Sequence, residues 1–157
     1  MNRTVLKAKV LTAKNYGYMG LAMLALMLLM ARVDAAQADL VVIVNKASSV
    51  NEVSNTELSR LYLGKTSMVS NGTKLIPVDQ SENSDTKTEF YQLLTNKTPL
   101  QVNAYWSRMI FTGQGRPPES YRTVEEIVSR VSQDPRLIAY VDAAQVVDGV
   151  KVVGKLP

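Results

Sequence analysis

Short apolar runs and longer amphipathic stretches alternate along the chain after residue 39. Each apolar run holds four or five residues that are mostly aliphatic, which is the pattern of a buried strand. The predicted strands are residues 40–44, 75–78, 137–141 and 150–153. The first run contains no polar residue, which is typical of a strand that is buried on both faces in a parallel sheet.

Signals for helix starts lie between these runs. Three capping boxes, in which a Ser or Thr precedes a Glu or Gln by three positions, begin at Ser54, Thr98 and Thr123. A further helix is predicted to begin at Ser84 or Asp85 and to end near Asn96. Residues 111–120 contain two glycines and a proline pair, so they predict a loop. Because strands and helices alternate, the predicted fold class is α/β with a mostly parallel sheet.

The N-terminal 38 residues have the form of a secretory signal peptide. The first 14 residues carry four basic and no acidic side chains, and residues 21–31 are wholly apolar. The sequence Ala-Gln-Ala at 36–38 then predicts cleavage before Asp39, with Val-Asp-Ala at 33–35 as a weaker alternative. The alternative is a retained membrane anchor, because the uncharged span 15–31 is at the short end of what crosses a bilayer. We therefore expect an exported protein whose single domain is residues 39–157.

Charge and composition narrow the function. The chain has 18 basic residues (Lys and Arg) and 14 acidic residues (Asp and Glu). Five of the basic residues and one of the acidic residues lie in residues 1–38, so residues 39–157 have 13 basic and 13 acidic residues. A domain without net charge gives no support for a nucleic-acid partner. The chain has no Cys and no His, so thiol nucleophiles, Cys/His zinc sites and His-based triads are excluded. We expect a protein that is not an enzyme and that has no cofactor.

The segment 74–90 is the best candidate for a binding site. It predicts an apolar strand, a polar loop and a helix, a layout that can aim free N–H groups at an anion. The acceptor for those groups is either a bound oxyanion or a cap side chain, and many such segments bind no ligand. The acidic residues here lack the spacing of an EF-hand loop, so no metal site is predicted; they are Asp79, Glu82, Asp85 and Glu89.

Five runs of residues carry a resemblance to a known family. They are VVIVNK (41–46), ELSRLYLGK (57–65), KLIPVDQSENSDTKTEF (74–90), YWSRMIFTGQGRPP (105–118) and LIAYVDA (137–143). In this order they resemble the periplasmic phosphate-binding proteins of ABC transporters, and more closely the small standalone relatives with a type II periplasmic-binding-protein-like fold. The resemblance implies one of the family's two lobes, with helices on both faces of the sheet. It also implies periplasmic, non-enzymatic binding of phosphate or a similar oxyanion, with a membrane transporter or another envelope protein as partner.

The resemblance also implies a set of ligand-binding residues. The family loop has the form Arg-x-Asp-Gly-Ser-Gly-Thr, and Ser84 and Thr86 stand at its serine and threonine. Gln80 replaces the arginine and Asp85 the second glycine, so a bidentate cation is lost and a carboxylate is gained. The implied set is Gln80, Ser84, Asp85, Thr86, Gly113 and Gly115. Arg108 and Arg116 are the best nearby cations in the sequence, although a solvated or ion-paired surface position is the more common role of such residues. Two functions stay open: an oxyanion-binding protein, or an envelope interaction or sensor domain that keeps the fold but has lost tight anion binding.

Overall fold

Residues 39–156 are described by the computed structural model of the chain, and the strands in this part form one sheet. The predicted signal peptide, residues 1–38, lies outside the described residues. The strands are β1 (Leu40–Asn45), β2 (Ile76–Gln80), β3 (Glu119–Tyr121), β4 (Leu137–Asp142) and β5 (Val150–Lys155). The helices are α1 (Asn55–Tyr62), α2 (Asp85–Thr95), α3 (Pro99–Phe111) and α4 (Val124–Gln133), with a short 3-10 helix at Ala143–Gln145.

The sheet is mixed, with the strand order β3-β2-β4-β1-β5. Strand β2 is parallel to β3 and β4, whereas β1 is antiparallel to both of its neighbours, β4 and β5. Four of the five strands therefore run in one direction, and the α/β class is confirmed. The prediction that residues 40–44 form a buried strand is confirmed. The prediction that this strand runs parallel to its neighbours is wrong, because β1 is antiparallel to both. A strand between two covered faces is apolar whichever way it runs, so its composition reports burial alone.

Helices cover both faces of this sheet. Helices α1, α2 and α3 pack on one face in a core that includes Tyr62 and Trp106. Helix α4 covers the other face through residues such as Ile127. The Tyr62 hydroxyl donates to the carbonyl oxygens of Val78 (3.1 Å) and Ile138 (3.2 Å), which fixes α1 against β2 and β4.

The helix ends follow the sequence signals closely. The predicted capping boxes at Ser54 and Thr98 are both formed. Thr123 caps α4, but the Glu126 side chain pairs with Arg130 at 3.3 Å, so only half of the third box is present. Within residues 39–156, no helix has the length and apolar character needed to cross a membrane.

The segment 111–120, which was predicted as a loop, contains part of one further strand. Strand β3 lies at the edge of the sheet, where Glu119 is paired with Val78 of β2. The sequence Glu-Ser-Tyr has no apolar run, so the neighbouring strand β2, and not local composition, accounts for this element. Helix α2 ends near the predicted position, with Asn96 in the left-handed conformation at φ 53°.

Candidate functional site

The loop after β2 brings Gln80 and Ser84 together at the start of α2. Ser84, and not Asp85, is the N-cap, and its Oγ accepts a hydrogen bond from the backbone N–H of Lys87 at 3.2 Å. The same hydroxyl donates to Gln80 Oε1 at 2.7 Å, and Gln80 Nε2 donates to the carbonyl oxygen of Tyr140 at 3.2 Å. The two side chains that were predicted to face an anion therefore bond to each other, and the Ser84 proton is already engaged.

A buried carboxylate, Asp79, lies beside this pair. Its side chain is 3% exposed and accepts hydrogen bonds from the hydroxyls of Tyr140 and Tyr91, the latter at 3.0 Å. The backbone N–H of Gln80 donates to it at 2.9 Å, and Lys87 Nζ lies 3.1 Å away. Four donors thus converge on one carboxylate, which is the arrangement expected around a bound anion.

The tyrosines around Asp79 stay protonated. Tyr62, Tyr91 and Tyr140 are fully buried; the rings of Tyr62 and Tyr91 make edge-to-face contacts with Phe90, and the ring of Tyr140 stacks face to face on it. Burial raises the pKa of each tyrosine well above its ordinary value, and the charge of Asp79 raises each pKa further. The hydroxyls of Tyr91 and Tyr140 can therefore serve only as neutral donors to the carboxylate.

Lys87 supplies the cation of this site. Its ammonium group lies between two carboxylates, with Glu82 Oε1 at 2.6 Å and Asp79 Oδ2 at 3.1 Å. The Lys87 side chain is 12% exposed, whereas that of Glu82 is 63% exposed. Of the two carboxylates that pair with Lys87, that of Glu82 is therefore exposed to solvent and that of Asp79 is buried.

Sequence reasoning missed both Lys87 and the role of Asp79. One signal was present, because Asp79 follows the apolar residue Val78 directly within a buried strand. A carboxylate at such a position needs a cation or several hydrogen-bond donors. The identity of those donors could not be read from the sequence, since Tyr140 is 61 residues away.

A groove opens beside the Lys87 ammonium group. Its volume is about 370 Å³, within the range of small-molecule sites. It is lined by Asp79, Glu82, Lys87, Val102, Asn103, Trp106, Ser107, Ile110 and Pro117. Among residues 39–156, Trp106 Nε1 is the one buried side-chain polar atom without a hydrogen-bond partner. No group of three or more acidic side chains in this part of the chain could hold a metal ion.

The other predicted site residues lie in different places. Asp85 is exposed and Thr86 half-buried in the first turn of α2, where backbone N–H groups have no acceptor within the helix. Gly113, at φ 68°, closes α3 by donating its N–H to the Ile110 carbonyl at 3.1 Å. Neither Gly113 nor Gly115 lines the groove at Lys87, whose wall is formed there by Ile110 and Pro117.

The predicted cations also lie away from Lys87. Arg116 lines a neighbouring groove with Lys65, on a wall that includes Trp106. Arg108 is exposed in the last turn of α3, where its charge complements the helix dipole. The only cation that the described part of the chain places among the residues of the α2 start is therefore Lys87.

Comparison with known proteins supports the fold. No protein-family model and no curated protein matches the sequence of this chain. An ABC-type phosphate transport receptor from Vibrio cholerae matches the structure with a TM-score of 0.58 and 15% identity, over 73% of this chain and 45% of that protein. A putative phosphate ABC transporter substrate-binding protein with bound phosphate, from Clostridium perfringens, gives 0.59 and 17%, over 73% and 44%.

A third solved structure gives the same result. PstS from Borrelia burgdorferi matches with a TM-score of 0.56 and 13% identity, over 74% of this chain and 46% of that protein. The chain thus spans less than half the length of the proteins it matches. At these identities the likeness concerns the fold, and it agrees with the resemblance seen in the sequence. Residues 39–156 have the fold of one part of the phosphate-binding receptors of ABC transporters.

Proposed function

We propose that this protein is a non-enzymatic, exported binding protein that holds phosphate or a similar small oxyanion weakly at the start of α2. The periplasm is its proposed location, and a membrane transporter or another envelope protein is its proposed partner. The fold likeness to phosphate receptors supports the ligand class. The basic and apolar pattern of residues 1–38 supports export.

One observation carries the oxyanion proposal: the Lys87 ammonium is paired with an exposed carboxylate at the mouth of a groove. Lys87 Nζ is 2.6 Å from Glu82, whose side chain faces solvent. Because the Glu82 carboxylate is exposed, solvent screens its attraction to Lys87 and can hydrate it when it leaves, so a second oxyanion can take its place. Lys87 itself belongs to the first turn of α2, where the helix dipole favours negative charge.

Weak affinity follows from the carboxylates that remain. Asp79 stays 3.1 Å from Lys87 and neutralises most of the charge that an incoming anion would meet. Asp85 adds a further negative charge in the first turn. Ser84 cannot donate to the ligand without breaking its 2.7 Å bond to Gln80. We expect a dissociation constant for phosphate of about 1 mM or weaker.

Calorimetric titration with phosphate tests this proposal. Glu82→Gln removes the exchangeable carboxylate and should tighten binding by about three- to tenfold, and Asp85→Asn should tighten it by about threefold. Glu126→Gln is the matched control, because it removes an exposed carboxylate of an ion pair on α4, and it should leave the isotherm unchanged. If neither Glu82→Gln nor Asp85→Asn changes binding, the α2 start is not an anion site.

The export proposal has its own test. N-terminal sequencing of the protein recovered from a periplasmic extract should give a start at or near Asp39. Recovery only with the membrane, with Met1 or Asn2 intact, would contradict export with cleavage. This outcome does not depend on whether phosphate binds.

A second candidate function is an envelope interaction or sensor domain without an anion ligand. The side chains of Lys87, Ser84 and Gln80 already form ion pairs or hydrogen bonds within the protein, which favours this second function. In that case the loop between β2 and α2 is only a connection and a helix cap. No phosphate binding in any of the variants above would favour this second function.

A further inference from the structure

Helix α3 is apolar on two faces, and only one of them is covered. The inner face packs into or against the core through Val102, Tyr105, Trp106 and Met109. The outer face carries Leu100, Ala104, Ser107 and Phe111, all exposed. Steps of four, three and four residues place these four on one side of the helix, where they form the outer stripe of α3.

The outer stripe is not the surface of an ordinary solvent-facing helix. Leu100 is 79% exposed and Phe111 is 92% exposed. Single exposed apolar residues are normal, but these two lie in line on one face. Arg108 is the only charged side chain in the 13 residues of α3, whereas a surface helix usually carries several charges on its outer side. This composition fits a helix that is covered on both faces.

The order of residues in the outer stripe indicates what covers it. Read from either end, the stripe is large, small, small, large. Leu100 and Phe111 are equally far from its midpoint, and so are Ala104 and Ser107. In an antiparallel pair of α3 helices, each Leu100 would therefore face a Phe111, and the small residues would meet where the helices cross. A two-fold axis requires a surface that is complementary to itself in this way.

We propose that the outer stripe is the interface with a second copy of this chain, with the two α3 helices antiparallel. The formal charge of residues 39–157 is zero, so the two copies do not repel each other strongly. An interface centred on one helix pair is small, and we expect a dissociation constant of about 10 µM.

A charge-pairing experiment tests both the interface and its direction. Leu100→Lys and Phe111→Glu should each weaken self-association of the full chain by about tenfold or more. Each substitution occurs in both copies of the dimer, so two unpaired charges would be buried in the interface. Mixed in equal amounts, the two variants should form a heterodimer, since Lys at 100 faces Glu at 111 while Phe111 still faces Leu100. Native mass spectrometry distinguishes this heterodimer from either homodimer, and sedimentation equilibrium gives the dissociation constants.

The control is Val147→Lys, which places a charge at an exposed apolar residue beside α4, on the face of the sheet opposite to α3, and should leave the dimer intact. Three results would overturn the proposal. The wild-type chain could stay monomeric at concentrations well above the expected dissociation constant. Val147→Lys could weaken association as much as Leu100→Lys. The mixed variants could fail to pair, which would exclude the antiparallel arrangement.

Discussion

The start of α2 and the outer stripe of α3 differ in how many of their side chains already have a partner within the protein. At the start of α2, the polar side chains bond to one another: Ser84 to Gln80, and Lys87 to Asp79 and Glu82. On the outer stripe of α3, two large apolar side chains, Leu100 and Phe111, face solvent. A polar loop thus has few groups left for a ligand, while a helix with apolar spacing has a face left for a partner.

The difference shows that residue types alone do not locate a binding surface. The sequence resemblance predicts Ser84 and Gln80 as ligands of an anion, yet the Ser84 proton and the Gln80 amide already have partners within the protein. An unsatisfied group, polar or apolar, is the better guide, because it has free energy still to gain from a partner. Substitutions in the two regions should therefore have opposite effects on stability and on association.

The largest expected effect on stability is at Asp79. Asp79→Asn removes the charge that pairs with the nearly buried Lys87 and replaces one acceptor oxygen by a donor. Breaking one partner of a buried pair typically destabilises a protein by about 3–5 kcal/mol. Urea denaturation measures this loss, with Glu126→Gln as the control at about 0.5 kcal/mol. If Asp79→Asn lowered the free energy of unfolding by less than about 1 kcal/mol, the ion pair and hydrogen bonds of the Asp79 carboxylate would not stabilise the folded state.

Ser84→Ala should have the next largest effect. The substitution removes the N-cap of α2 and leaves Gln80 Oε1 without the donor that lies at 2.7 Å. We expect a loss of about 2 kcal/mol in the free energy of unfolding. Thr123→Ala removes the N-cap of α4 and should lose about 1 kcal/mol. Equal losses would show that the bond between Ser84 and Gln80 contributes nothing beyond the cap.

An exposed helix start gives a smaller, pH-dependent effect. Hydrogen bonds from Ser54 and Ser70 lower the pKa of Glu57 from 4.5 to about 2. Because this pKa is lower in the folded state, the stabilisation is present above pH 4.5 and is lost as the pH falls towards 2. After allowance for solvent screening it amounts to about 1 kcal/mol. Glu57→Gln should remove this part of the pH dependence in denaturation measured from pH 5 to about pH 2.

The smallest effect on stability is expected at Phe111. Its side chain is 92% exposed, so Phe111→Ser should change the free energy of unfolding of the monomer by less than about 0.5 kcal/mol. Urea denaturation, at a protein concentration well below the dissociation constant of the dimer, measures the free energy of unfolding of the monomer. The same substitution should still weaken self-association. A large loss of monomer stability would show that Phe111 packs within its own chain.

The features that the sequence predicted are those that depend on near neighbours. The capping boxes at Ser54 and Thr98 join residues three apart, and the strands follow from continuous apolar runs. The antiparallel direction of β1, the edge strand β3 and the donors of Asp79 all depend on distant segments. The hydrogen bond from Tyr140 to Asp79, for example, joins residues 61 apart, and no local pattern indicates it.

A phosphate titration followed by the backbone amide signals of the wild-type protein tests the anion site most directly. We predict gradual shifts centred on Asp85, Thr86 and Lys87, without saturation below about 1 mM phosphate. The shifts should be larger at each phosphate concentration in Glu82→Gln. Saturation at micromolar phosphate would contradict the weak affinity. Shifts confined to Gly113, Gly115 and Arg116 would contradict the position of the site.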